Sequence, residues 1–295
     1  MFRKTIGSLL LALAALVPTA ACARAPEARP ALWKLADEDT TIYLFGTVHA
    51  LPRELAWNTG AVRDAFDSAG TLVVEVADDK DAASLAPMLK LGLAEPGSVT
   101  PLSERVPEKE REALKALIAR TPFPPQAMDR FETWLAALFL VAPTLADAGL
   151  DPATGADRVL MASAQKRGIA VVGLETTEEQ LGYFDKLPEA DQRSLLSAVI
   201  EEEGSMKKQF QQLIAAWARG DVAALEELAD DELKANPNVR KVLLTSRNAR
   251  WADWIAERMD TPGTVFVAVG AGHLAGDDSV QHMLGLKKLD VERVQ

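Results

Sequence analysis

Apolar and polar positions along this chain follow two periods. Short runs rich in β-branched, aromatic and aliphatic residues, Trp33 to Leu35, Thr41 to Phe45, Thr71 to Val76, Ile169 to Gly173 and Thr264 to Val269, predict strands. Between them, about 82–166 and 176–260, apolar residues recur at three- and four-residue spacing, which predicts helices. The first two runs are expected to pair as a hairpin across Ala36 to Asp39. A helix near Trp57 to Ser68 then leads to Thr71–Val76, a βαβ unit for which parallel pairing and a right-handed crossover are expected. The C-terminal block repeats the plan with the strand Thr264 to Val269, a helix over Asp277 to Leu284 and a closing strand over Leu289 to Val294. The fold class is therefore α/β, with a central mixed β-sheet from two βαβ halves and a large helical insertion.

The helical middle carries readable boundary signals. Pro107, followed by Glu108, Glu110 and Glu112 and by Leu114, Leu117 and Ile118 at core spacing, marks an amphipathic helix. A second helix is expected from Gln126 to Ala148. Its apolar run Leu135 to Ala142 is too short to span a bilayer and reads as core or as an exposed groove, and Pro143 is expected to kink or end it. Asp157 reads as a helix N-cap. Thr176 with Glu179, and Thr177 with Gln180, both match capping-box spacing, which accounts for Gln180 structurally. The stretch Pro188 to Met259 reads as helix broken near Gly220-Asp221 and Asn236-Pro237, with Glu201 to Glu203 on a solvated face.

The N-terminal 23 residues change the boundaries of the fold. Arg3 and Lys4, the apolar Ile6 to Val17 and the small residues Thr19 to Ala23 have the order of an export signal, with the periplasm or cell envelope as destination. The single cysteine, Cys22, lies inside it. Cleavage after Ala21 leaves Cys22 at the mature N-terminus as a site for a lipid tether, and cleavage after Ala23 removes it; both sites stand open. Residues 24–31 read as a linker and 32–295 as one domain, and the 48% apolar content of the whole chain supports a sizeable core. The net charge of -11 becomes two units more negative once Arg3 and Lys4 leave. So acidic a chain repels phosphates, so nucleic acid is excluded as a partner. Oligomeric state leaves no trace in the sequence.

Candidate chemistry concentrates at strand ends. Thr41 to His49 (TIYLFGTVH) and Thr264 to His273 (TVFVAVGAGH) each end in Gly-x-x-His, and two of the three histidines stand there. Gly46 and Gly270 free the backbone for a turn or a close approach. One such histidine alone reads as a polar loop residue; two on matching strands read as a site. Glu75 stands among Val73, Val74 and Val76, where a carboxylate is costly unless it is paired, protonated or bound to a cation. Glu175 stands at a strand-to-helix junction, one residue before any cap. Arg247-Asn248, beside Trp251 and Trp254, reads either as helix packing with a snorkelling Arg or as a guanidinium for a carboxylate or oxyanion. His282 reads as a surface or packing residue.

The motifs LFGTVHALP, LVVEV, VVGLETTEEQL, the Arg-Asn of SRNARWADWI and VFVAVGAGHLAGDDSV, in that order and spacing, resemble the TraB/GumN family from about Leu32 to Val294. That family is related to the Tiki proteases and more distantly to erythromycin esterase and ChaN-like folds. The resemblance implies a metal-dependent peptidase whose active site is His49, His273 and Glu75, with Glu175, Arg247 and Asn248 as further motif positions.

Chemistry frames the same residues. Two imidazoles with one or two carboxylates suit a borderline divalent ion, Mn²⁺, Co²⁺ or Zn²⁺, and no HExxH helix supplies ligands elsewhere. The expectation is that His49, His273 and Glu75 bind the ion, Glu175 acts as general base or fourth ligand, and Arg247 holds the substrate or oxyanion of a peptide, small ester or amide. Two other readings are kept: a metal-free esterase in which His49 activates water oriented by Glu75, and a non-catalytic envelope module that binds a metal, a haem-like ligand or a polymer.

Overall fold

The computed structural model describes residues 27–77 and 86–295, with the backbone alone for 229–235. The export segment, Cys22 and the start of the helical middle near residue 82 lie outside the described residues. Strand β1 (Leu32–Ala36) turns into β2 (Thr40–Thr47), and α1 (Gly60–Ser68) leads to β3 (Thr71–Val76). The first helical block holds α2 (Ala86–Gly92), α3 (Arg111–Ile118), the short α4 (Pro125–Met128), α5 (Thr133–Asp147) and α6 (Ala156–Arg167). Strand β4 (Ala170–Glu175) precedes α7 (Thr177–Asp185), the long α8 (Glu189–Ala218), α9 (Val222–Ala235), α10 (Pro237–Arg240) and α11 (Ser246–Arg258). Strand β5 (Gly263–Gly270), α12 (Val280–Leu286) and β6 (Glu292–Arg293) close the chain.

One six-stranded mixed sheet runs in the order β4-β3-β5-β2-β1-β6. The α/β class, the mixed sheet and the helical insertion are as expected, but the strand neighbours differ. β5 inserts between β2 and β3 and pairs in parallel with both, so β3 is parallel to β2 without touching its ladder. β6 is only two residues long and pairs antiparallel with β1 at the far edge. The hydrophobic pattern explains why β5 takes the centre. Val265 to Val269 are all at most 1% exposed, so both faces of this strand need a covering layer.

The two faces have different covers. Phe45, Leu72, Val74, Phe266 and Ala268 pack under α1, α6 and Trp217 of α8, with the Trp57 ring stacked 5.6 Å from Phe45. Ile42, Leu44, Val73, Val265 and Val267 pack against Trp251 and Ile255 of α11 and Leu284 of α12. A third cluster, among them Leu114, Phe131, Trp134, Leu140 and Leu196, is the helical insertion's own core. No helix among the described residues is long and apolar enough to cross a membrane.

Several local expectations are corrected by longer-range contacts. The helix expected from Gln126 to Ala148 breaks after Met128, because buried Arg105 donates to the carbonyls of Asp129 and Phe131 and holds that loop out of the helix. It resumes at Thr133 and runs through Pro143 to Asp147. The helix near Trp57 starts at Gly60, leaving Trp57 free to stack on Phe45. The last helix begins at Val280, capped by Ser279, three residues later than expected. Asp157 is not a cap: Gly155 stands at the N-cap of α6 and Asp157 lies in its first turn. The breaks near Gly220 and Asn236 fall where the sequence places them.

Candidate functional site

Parallel strands β4, β3, β5 and β2 are neighbours, so their C-terminal ends share one edge. Register aligns Thr47 with Gly270, and Val76 with Glu175. This edge brings the two Gly-x-x-His turns together although they lie at opposite ends of the chain. Their glycines are required by contact. A Cβ on Gly46 would stand 3.0 Å from Cα of Ala271 in the other turn, and one on Gly270 would stand 3.1 Å from Glu75 Oε1. The Gly270 N–H donates to that same oxygen at 2.7 Å.

Glu75 is the centre of the arrangement. Its Oε2 accepts from Arg247 Nη2 at 2.6 Å and from Gln180 Nε2 at 2.8 Å. Burial alone would push the carboxyl up, but His273, Arg247 and His49, with the Gly270 N–H, hold it well below the carboxylate range, at about 2. It is ionised at neutral pH. Glu175, with a side chain 2% exposed, accepts from Arg247 Nε and Nη2 and from Arg250 Nη2. It stands behind Arg247 and is not among the residues lining either cavity at the site. Arg247 does not snorkel: its side chain is 8% exposed and its guanidinium lies over the rings of Trp251 and Tyr183.

The two histidines are held in different ways. His273 is buried, and its Nδ1 donates to Asn248 Oδ1 at 2.5 Å. The Asn248 amide is itself fixed, because its Nδ2 donates to the Asp278 carbonyl at 2.8 Å. That leaves Nε2 as the acceptor, 3.2 Å from Arg247 Nη1 and 3.9 Å from Glu75 Oε1. Burial, against the opposing Glu75 charge, lowers the His273 pKa to about 4, so the ring is neutral. His49, 70% exposed, sits with Nδ1 3.3 Å from Asp157 Oδ1, a buried oxygen without any hydrogen-bond partner of good geometry among the described residues. The Asp157 contact raises the His49 pKa to about 9 against desolvation, with help from the Asp157 and Glu75 charges. Solvent at the ring screens this pair, so it contributes little stability.

Asp157 and Gln180 are site residues that local reading assigned to capping. Thr176 caps α7 with Glu179 in a complete capping box, which frees Gln180 to reach Glu75. His282 is exposed on α12 and lies outside both cavities.

A cavity of about 560 Å³ opens over His49, Glu75, Arg247 and His273, and a second of about 360 Å³ adjoins it at His49, Glu75 and Gln180. The fit to a divalent ion is partial. His273 Nε2 and Glu75 Oε1 are close enough for one ion to bridge with bonds of about 2.0–2.2 Å. Arg247 Nη1, however, already stands against His273 Nε2. Among the described residues no group of three or more His, Cys, Asp or Glu side chains is placed to hold a metal ion. The expected ligand set does not fit an ion in this arrangement.

Fold and site together define an α/β protein with a histidine and glutamate floor at the carboxyl edge of its parallel strands. The chain belongs to the TraB/PrgY/gumN family, whose model matches residues 31–293. It is 24% identical over 272 residues to an uncharacterized protein of Treponema pallidum (strain Nichols), covering 87% of this chain and 80% of that protein. It is 25% identical over 242 residues to the uncharacterized protein YbaP of Escherichia coli (strain K12), covering 82% and 87%. No solved structure matches the chain significantly.

Proposed function

We propose that the chain is a hydrolase that adds water to the carbonyl group of a peptide, ester or amide held above the His49, Glu75 and His273 floor. The observation that carries this reading is geometric: His49, Glu75 and His273, from three separate strand ends, line one cavity, with His273 Nε2 and Glu75 Oε1 3.9 Å apart, and the opposite pKa shifts of the two imidazoles agree with it. Environments that push neighbouring titratable groups apart assign acid and base. Glu75 Oε1 takes one proton of a water whose oxygen attacks the carbonyl carbon, while His273 Nε2, 3.9 Å away, is engaged by Arg247 Nη1 and holds that guanidinium over the floor. Protonated His49 supplies a proton to the leaving nitrogen or oxygen as the C–N or C–O bond breaks. Arg247, held by Glu175, fixes the Glu75 carboxylate and adds positive charge where the oxyanion develops.

A metal-assisted version is favoured by one feature. Both imidazoles are backed at Nδ1 by a side-chain oxygen, Asn248 for His273 and Asp157 for His49, as oriented ligands are. A bound Mn²⁺, Co²⁺ or Zn²⁺ would polarise the carbonyl and lower the pKa of water toward ~7. It would require Arg247 to withdraw from His273. The acidic charge argues against nucleic acid as substrate. The order of residues in Met1 to Ala23 supports export to the periplasm or envelope, and the mass of the mature N-terminus decides between lipidated Cys22 and cleavage after Ala23.

The test is turnover of a peptide panel and a p-nitrophenyl ester panel by the mature protein, with and without chelator. Metal content is measured in wild type, His49→Ala and His273→Ala after dialysis against trace divalent ions. Turnover that survives chelation and is lost in both variants supports direct acid and base chemistry. Near-stoichiometric metal in wild type that disappears in both variants supports the metal-assisted version. Folded protein that retains a ligand and turns over nothing would replace hydrolysis with a binding role.

A further inference from the structure

The two cavities share more than an edge. Thr47, His49, Glu75, Gln180 and Phe184 line both, so the polar floor stands at their junction and each cavity extends from it as a separate arm. One arm is walled mainly by Met88, Leu138, Met161 and Leu181, with Asp157, beside His49, and Arg158 also on its lining. The other is walled by Val141, Leu145, Phe210, Leu213 and Leu244. Helix α5 serves both, because Leu138, Val141 and Leu145 follow at spacings of three and four and form one stripe. Leu138 faces the first arm and the other two the second. The apolar run singled out in the sequence therefore divides, with Leu135, Ala136 and Leu140 in the core and this stripe against open space.

Seven helical residues rise about 10 Å, the length of about three residues of extended chain. The second arm's charged lining is confined to the floor groups His49, Glu75, Arg247 and His273. Such a wall takes an uncharged apolar side chain and rejects a charged one, which would lose its water without gaining a partner. A substrate that ended at the floor would use one arm only.

Resting on the hydrolase reading, we infer that the substrate is an extended peptide that crosses both arms, places an apolar side chain in each, and is cut at an internal bond over the floor. Water is consumed; the hydroxyl goes to the carbonyl carbon and the amine leaves protonated.

The experiment uses the mature protein and an internally quenched library of random octapeptides with blocked ends, with cleavage positions read by mass spectrometry. Met88→Gln and Phe210→Gln each replace one apolar wall residue of one arm with a polar one and leave the floor untouched; thermal melts report whether they fold. A p-nitrophenyl acyl ester series runs in parallel. The expected result is internal cleavage with apolar preference on both sides of the bond. Each variant should erase the preference on one side only and lower kcat/KM about tenfold or more for apolar sequences. Preference on one side alone, or cleavage only next to a blocked end, overturns the two-armed reading and leaves the hydrolase intact. Ester turnover with no peptide cleavage also overturns it, and assigns the larger arm to an acyl chain if only Phe210→Gln responds. No turnover of either class overturns the inference together with the hydrolase.

Discussion

Replacing Arg247 with Met is the most informative single perturbation, because it removes the charge and keeps the apolar stem between Tyr183 and Trp251. Two carboxylates, part-buried Glu75 and buried Glu175, depend on this guanidinium at 2.6 Å and 2.8 Å, with side chains 11% and 2% exposed. Breaking a buried pair by removing one partner costs about 3–5 kcal/mol, since the remaining charge stays desolvated. Arg250, 51% exposed, still reaches Glu175 at 3.3 Å, so Glu75 is left worse off. At about 2–4 °C per kcal/mol for a domain of this size, Tm should fall by about 6–20 °C at pH 7. The pH dependence follows from the direction of the Glu75 shift. Its folded pKa lies below the ordinary 4.5, so the stabilisation is fully present above that value and is lost as pH falls toward 2. The gap between thermal melts of wild type and Arg247→Met should therefore narrow from pH 7 to pH 3. Adding Glu75→Gln to Arg247→Met should recover part of the loss at pH 7. A deficit under about 2 °C, or one of equal size at pH 7 and pH 3, refutes the reasoning.

Three further outcomes are expected. Asp157→Asn should bring the His49 pKa down from about 9, followed by the imidazole NMR shifts; because the native pKa is raised, any associated stability is present below 6.5 and disappears as pH rises through about 9. His273, with a folded pKa of about 4, leaves the unfolded chain binding an extra proton between pH 6.5 and 4, so wild-type Tm should fall across that range and His273→Gln should flatten the slope in thermal melts. Gly270→Ala should lower kcat on any substrate found by about tenfold or more, since its Cβ would press on Glu75 Oε1; circular dichroism should show the fold retained.

Much of the site is legible because strands announce their own ends. The runs before His49 and His273 are apolar enough to be strands, and Glu75 stands out because a carboxylate flanked by valines needs a partner. Asp157 and Gln180 are not legible for the same local reason that makes them plausible caps. An Asp in the first turn of α6 and a Gln three residues after Thr177 satisfy capping grammar, while their partners His49 and Glu75 are brought near only by the sheet. The Glu75 to Gln180 bond spans 105 residues. Strand order is hidden from local sequence for a related reason. A βαβ unit read in sequence puts β2 beside β3, and nothing local to either strand shows that the more deeply buried β5 will separate them.

The position of β5 also orders events during synthesis. Before it emerges, the chain holds only two incomplete ladders, β1 with β2 and β3 with β4, each with an open side. β5 joins them, and the same segment brings His273 to Glu75 and closes the floor. Pairing across so long a stretch of sequence is slow and is completed late. A chain that stops short of β5 therefore lacks the assembled floor of His49, Glu75 and His273.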